Sequence, residues 1–354
     1  MSLESLVQLA FWIPLLTAGV RVATPLVFAA LGETVCERAG ILNVGIEGMM
    51  ALGAISGFLA AFATGDAWAG FAAAALTGMI AGLAFGALTV YRGADQIVTG
   101  IVFNILALGL ASFAYAKLFV SARDVAQLPV VPLYRVPWLS TLPVVGRPFF
   151  AQSPVVYVAY AAIPAIWFVL ERTRWGLGIR AAGENPEAVD SAGIDVWRLR
   201  LQAMTIAGGM AGVAGATLSI AQIGAYVDGM IAGRGFIALA IVVFGGWRPW
   251  RVALAALLFG LVDAFQLRLQ VSGSPIPSPL LIGMPYLLTI VVVTLVASRA
   301  GYPAAINRPY PRRREARARS RDPVAEPGDP KPPQPDKPPT PGLGRPSQHR
   351  EMTI

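Results

Sequence analysis

The sequence predicts an all-α integral membrane protein, and three observations carry that reading. Hydrophobic residues make up 55% of the 354 and charged residues only 14%, with a mean hydropathy of +0.60, which is membrane-protein composition. Apolar stretches near the roughly 20 residues that a helix needs to cross the hydrocarbon core recur along the chain, bounded by charge or by Gly/Pro clusters. The net charge of +8 is also unevenly placed: 12 basic and 6 acidic residues lie from Arg299 onward, against 16 and 14 before it. The basicity is a tail property, and no basic face for nucleic acid is implied.

Nine spans are expected, within a range of eight to ten, at about 9–31, 47–64, 68–90, 97–120, 154–170, 202–222, 236–247, 251–269 and 280–298. The seventh is short for a full crossing and reads as tilted, extended into its flanks or partly re-entrant. Lys and Arg are retained in short cytoplasmic loops. Residues 171–200, with Arg172, Arg174, Arg180, Arg198 and Arg200, and the segment after Ser298, with eight arginines between Arg299 and Arg321, are therefore placed inside. Four spans separate them, so they share a side, and Arg248 and Arg251 fall inside as well. Counting back puts 32–46 and 91–95 inside and the N-terminus outside. With no Lys or Arg in the first twenty residues, the basic n-region of a cleavable signal is missing, and insertion is expected to rely on the spans.

Residues 1–300 thus read as a transmembrane domain with an extracytoplasmic loop at 121–153, whose five prolines and four aromatics suit an ordered cap, either docking a partner or covering helix ends. Residues 301–354, with PRRREARARS and KPPQPDKPPTP, read as a disordered, basic, Pro-rich cytoplasmic tail. Membrane lipids are the contact expected for its arginines, through anionic headgroups.

Several chemistries are excluded. The three lysines are followed by Leu118, Pro332 and Pro338, so no GxxxxGK[ST] phosphate loop exists. One cysteine, Cys36, and one histidine, His349, assemble no metal site, and no nucleophile has a histidine partner. The chain reads as a non-enzyme without catalytic residues, metal or a cofactor of its own.

Residues 176–194, GLGIRAAGENPEAVDSAGI, specify a short helix at 186–192: Asn185 as N-cap, Pro186 at the first position, Glu187 on the positive end and Gly193 to close it. Capping alone fits an ordinary surface helix as well as one that meets a motor domain. The run resembles the coupling segment of bacterial ATP-binding cassette (ABC) importer permeases of the branched-chain amino acid, ribose and nucleoside group. Gly183, Glu184, Asn185, Glu187, Ala188 and Gly193 match the pattern, and Val189 stands where a second alanine is usual. ATPLVFAALGETVCERAGILNVGIEGMMALGA at 23–54 and GADQIVTGIVFNILALGL at 93–110 resemble the nucleoside branch. The resemblance spans most of 20–300 and leaves out the tail. It implies the ABC importer permease fold in a bacterial cytoplasmic membrane and import of nucleosides, or of ribose or another simple sugar. ATP and Mg would sit on a partner ATPase, which the segment from Arg180 through Pro186 to Gly193 contacts. A second permease subunit and an extracytoplasmic substrate-binding lipoprotein would complete the assembly.

Four polar residues inside or beside the spans are candidates for the translocation pathway. Asn43 and Glu47 flank two glycines, where broken backbone at membrane depth would face protein or a cavity. The span count also sets them near the cytoplasmic boundary, where Glu47 would be solvated. Asn104 lies well inside the fourth span and should bond another helix or face the path. Asp263, midway along the eighth, should face a cavity or pair with Arg21 or Arg268. The glycine runs at 78–86 and 208–212 are expected to let helices pack closely. Rival readings are a secondary transporter using Glu47 or Asp263 for ion coupling, and a membrane scaffold.

Overall fold

Apolar helices laid side by side make up almost the whole of the computed structural model, which describes residues 9–119, 128, 131–272, 276–296 and 301–310. In chain order they are α1 (Leu9–Arg38), α2 (Ile46–Thr64), α3 (Ala67–Gly86), α4 (Gln96–Phe119), α5 (Gly146–Phe150), α6 (Pro154–Arg172), α7 (Arg174–Glu184), α8 (Pro186–Ser191), α9 (Val196–Ala216), α10 (Arg234–Gly245), α11 (Pro249–Val271), α12 (Ser278–Ile282) and α13 (Met284–Val296). Wider π turns extend α3 through Ala87–Tyr91 and α9 through Thr217–Ile223.

Seven of these helices are long and apolar enough to cross a membrane: α1, α2, α3, α4, α6, α9 and α11. The nine expected spans differ at two places. The expected span 236–247 is α10, only 12 residues or about 18 Å, because its N-terminus begins inside the bundle. The expected span 280–298 breaks at Gly283 into α12 and α13. Pro14 and Pro25 sit within α1; Pro25 is buried among neighbouring helices, where a missing backbone donor is tolerated. The hydroxyls of Thr17, Thr24 and Thr34 bond carbonyls four residues back.

At the centre α9 packs against α1, α2 and α3 with almost no side chain between backbones. A methyl group on Gly78 would overlap the Gly208 carbonyl oxygen, one on Gly212 the Ala74 carbonyl, and one on Gly215 the Met50 carbonyl. The glycine runs pack as expected, gaining dispersion contacts that lipid cannot match at that distance. The outer face of α4 carries Val98, Ile101, Val102, Ile105 and Phe113 exposed, the surface a hydrocarbon environment requires.

Within 121–153, β1 (Tyr134–Arg135) pairs antiparallel with β2 (Ala151–Gln152) around a 3-10 turn and α5. Residues 120–127 and 129–130 of that loop, the N-terminal eight residues, and 311–354 lie outside the described residues. The tail expected to be disordered from 301 begins differently: residues 301–310 form a turn packed on the arginine-rich end of the bundle, with Pro303 and Ala305 buried.

Candidate functional site

The chain leaves α1 at Arg38, turns at Gly40 with φ +83°, and re-enters the bundle before α2 starts. Side chains satisfy the broken backbone: Leu42 N–H donates to Gln96 Oε1 at 2.7 Å, Asn43 N–H to Glu33 Oε1 at 3.1 Å, and Gly48 N–H to Asn104 Oδ1 at 2.8 Å. Asn104 Nδ2 donates to the Val44 carbonyl at 2.8 Å. Asn104 lies about 12 Å along α4 from Gln96, which measures how deep the break reaches. Buried backbone groups are rarely left unpaired, and here the pairing needs these particular residues.

Glu47 completes the arrangement. Its Oε1 accepts the Gly233 N–H and its Oε2 the Gly235 N–H, both at 2.7 Å, so it neutralises the positive end of the half-length helix α10. With 5% of its surface exposed, Glu47 is not solvated at a boundary. Asn43 and Asn104 are likewise enclosed by protein, and Asn43 Nδ2 approaches Met49 Sδ at 3.7 Å.

Asp263 does face a cavity, of about 110 Å³, shared with Arg234, Gln266, Phe259 and Tyr286. Its partner is Arg234 at 3.3 Å, and Gln266 Nε2 donates to it at 2.9 Å. The expected partners are engaged elsewhere. Arg268 lies 4.4 Å over the Phe11 ring and donates to the Phe11 carbonyl, while Arg21 lines a vestibule described below. Arg234 reaches Asp263 because α10 starts at that depth, and a span drawn from 236 hides it.

At the arginine-rich end, residues 172–200 form two helices where one was expected. Thr173 Oγ1 accepts the Gly176 N–H to start α7, and Asn185 Oδ1 accepts the Ala188 N–H at 3.1 Å to start α8, with Pro186 first. Gly193, at φ +81°, follows its end. Arg180 pairs with Glu171 at 2.9 Å. Gly183 presses on the Arg38 carbonyl, where a Cβ would not fit. Val189 is buried with Val35, Ile179 and Leu199, so α8 is pinned by one side chain while Glu184, Asn185, Glu187 and Ala188 remain exposed.

At the opposite end, α1 and the 133–151 segment enclose a vestibule of about 950 Å³ lined by Arg21, Arg135 and Arg147, with no acidic residue among the described residues of its lining. Sequence reasoning also missed Glu33 and Glu37, four residues apart in α1. Glu37 accepts a hydrogen bond from the Trp247 indole, and Arg38 donates to the Trp247 carbonyl, tying α1 to the turn between α10 and α11.

A polytopic helical bundle with backbone broken inside it and a capped pair of short helices exposed at one end defines a multi-pass membrane permease. The chain belongs to the family described as the branched-chain amino acid transport system / permease component, whose profile matches residues 15–297. It is 42% identical over 265 residues, 74% of this chain and 79% of the relative, to the putative glucose ABC transporter permease protein TsgC13 of Haloferax volcanii. It is 36% identical to the nucleoside ABC transporter permease protein NupC of Lactococcus lactis subsp. cremoris, covering 80% and 92%. The guanosine ABC transporter permease protein NupQ of Bacillus subtilis is 35% identical, covering 81% and 93%. The protein is therefore a permease subunit of an ABC transporter and not an enzyme. Glu47 and Asp263, the carboxylates an ion-coupled carrier would use, are bonded to Gly233 and Gly235 and to Arg234 and Gln266 respectively.

Proposed function

We propose that this chain is the translocation subunit of an ATP-driven importer of nucleosides across the bacterial cytoplasmic membrane, with the arginine-rich end inside. The observation that carries the coupling part is α8: a capped, exposed helix pinned by Val189 and presenting Glu187 and Ala188, beside Glu184 at the end of α7, to a partner ATPase, which would hold ATP and Mg. Arg180, through its pair with Glu171, and Gly183, through its contact with Arg38, join that helix pair to the spans. A second permease, of the same or a homologous chain, completes the pathway, to which this chain contributes Asp263 and its cavity. The vestibule arginines at the outer end suit an acidic face on a substrate-binding lipoprotein. Nucleosides are favoured because two relatives named for them match over nine-tenths of their own length. Import of a simple sugar is the second reading, favoured by the identity to the Haloferax protein.

Uptake of labelled guanosine, uridine, glucose and ribose by cells carrying wild type or Glu187→Arg tests both parts. The variant should insert normally, lose uptake and fail to retain the ATPase on purification, and the best unlabelled competitor identifies the substrate. Uptake that survives loss of the ATPase would overturn the assignment.

A further inference from the structure

We propose that residues 302–310 form a strap that holds the coupling helices on the membrane-spanning bundle, and that Arg200 is the positioning residue at its centre. The inference rests on the coupling role given above to α8.

The strap touches three elements that meet at this end. Ala305 N–H donates to the Gly183 carbonyl at 2.8 Å, supplying a donor to one of the last-turn carbonyls of α7, which a helix cannot satisfy internally. Ala304 N–H reaches Glu184 Oε2 at 3.4 Å. Tyr302 stacks edge-on against Trp247 with ring centres 4.9 Å apart, and Tyr310 lies 5.3 Å from Trp197, whose indole N–H donates to the Tyr310 carbonyl. The same Trp247 is anchored to α1 through Glu37 and Arg38. In nine residues the chain bridges the α10–α11 turn, the end of α7 and the start of α9.

Arg200 makes this more than a surface contact. Its side chain is buried, and its fork spans two backbone carbonyls, Nε to Ala39 at 3.0 Å and Nη1 to Arg308 at 2.9 Å. The first belongs to the end of α1 and the second to the strap. A guanidinium presents donors at fixed separation, a geometry that lysine's single ammonium does not reproduce. Gly40 accommodates both partners: a Cβ there would sit 2.8 Å from Arg200 Nη2 and 3.0 Å from the Ala305 carbonyl. Helix α8 bears on the bundle through Val189, in the cluster of Val35, Ile179 and Leu199, and through α7, whose far end is held by Gly183 against Arg38 on one side and Ala305 on the other. Without the strap, α7 loses one of its two holds at that end, and a force on α8 would be passed less completely to the spans.

The experiment compares two truncations in the assembled transporter, one removing 311–354 and one removing 301–354, beside Arg200→Lys and Glu187→Arg. Uptake and ATP hydrolysis are read on the same membranes, with exchange of backbone amides in 176–194 by mass spectrometry. The shorter deletion should leave uptake within about twofold of wild type, and the longer should lower uptake about tenfold while hydrolysis continues, a loss within the range that coupling free energies span. Arg200→Lys should fall between them, and exchange in 176–194 should rise with each loss. Equal uptake by both truncations would overturn the strap, as would a fall in hydrolysis and membrane yield proportional to the fall in uptake. Were Glu187→Arg also without effect, the coupling role of α8 would fail first, and the two failures are distinguishable.

Discussion

Replacing Glu47 by glutamine removes one acceptor from a site that needs two. Gly233 and Gly235 each donate to a different oxygen of Glu47 at 2.7 Å, and a glutamine amide has one oxygen and an NH2 that must face the other N–H. One buried donor is left opposed, at about 1–3 kcal/mol, and part of the helix-end charge interaction is lost, worth up to about 2 kcal/mol in enclosed geometry. The expected destabilisation is roughly 2–4 kcal/mol, reduced where the unfolded chain in detergent finds other partners. Thermal unfolding in detergent followed by size-exclusion chromatography reads it as a lower midpoint. Gly235→Ala should behave similarly, since its Cβ would stand 2.7 Å from Glu47 Oε2. A midpoint unchanged in Glu47→Gln would refute the capping role. A normal midpoint with abolished uptake would return Glu47 to the substrate path.

Asn185→Ala removes the α8 cap and should cost about 1 kcal/mol locally, seen as faster amide exchange in 186–191 with the melting point of the bundle unchanged. Asp263→Leu leaves Arg234 without its carboxylate in a largely enclosed site and should cost about 2 kcal/mol. The double variant with Arg234→Met should recover most of that stability, and recovery of stability without recovery of uptake would assign the pair to the pathway. Gly212→Val drives a side chain into the Ala74 carbonyl and should cost about 1–3 kcal/mol or more, measured as loss of folded protein in membranes.

The long spans were legible because each keeps an apolar run bounded by charge, and α8 because Asn185, Pro186 and Gly193 act through local backbone chemistry. Asn104 was legible as a partner for another helix, although not as the residue that holds the 44–48 backbone. What was hidden within the spans shares one cause: the break after Arg38 follows Glu33, Glu37 and Arg38, and the internal start of α10 carries Asp228 and Arg234, so charge sets both at the membrane surface. That displacement hid Arg234 as the partner of Asp263 and made Glu47 look solvated. Helix α7 was missed because Gly176, Gly178 and Gly183 weaken its propensity, and it forms because Ile179 and Ala182 are buried against Val35 and Leu199. The ordered turn at 301–310 was missed because its two prolines and Arg308 resemble the tail, while Trp197 and Trp247, far away in sequence, supply its contacts.

The glycine seam between α3, α2 and α9 determines where the molecule can bend. Where backbones touch directly, there are no rotamers to exchange and no side chain whose repacking could define a second arrangement. Those three helices must travel as one body through a transport cycle. Glu47 joins a fourth helix to that body: its backbone belongs to α2 and its carboxylate grips the first turn of α10.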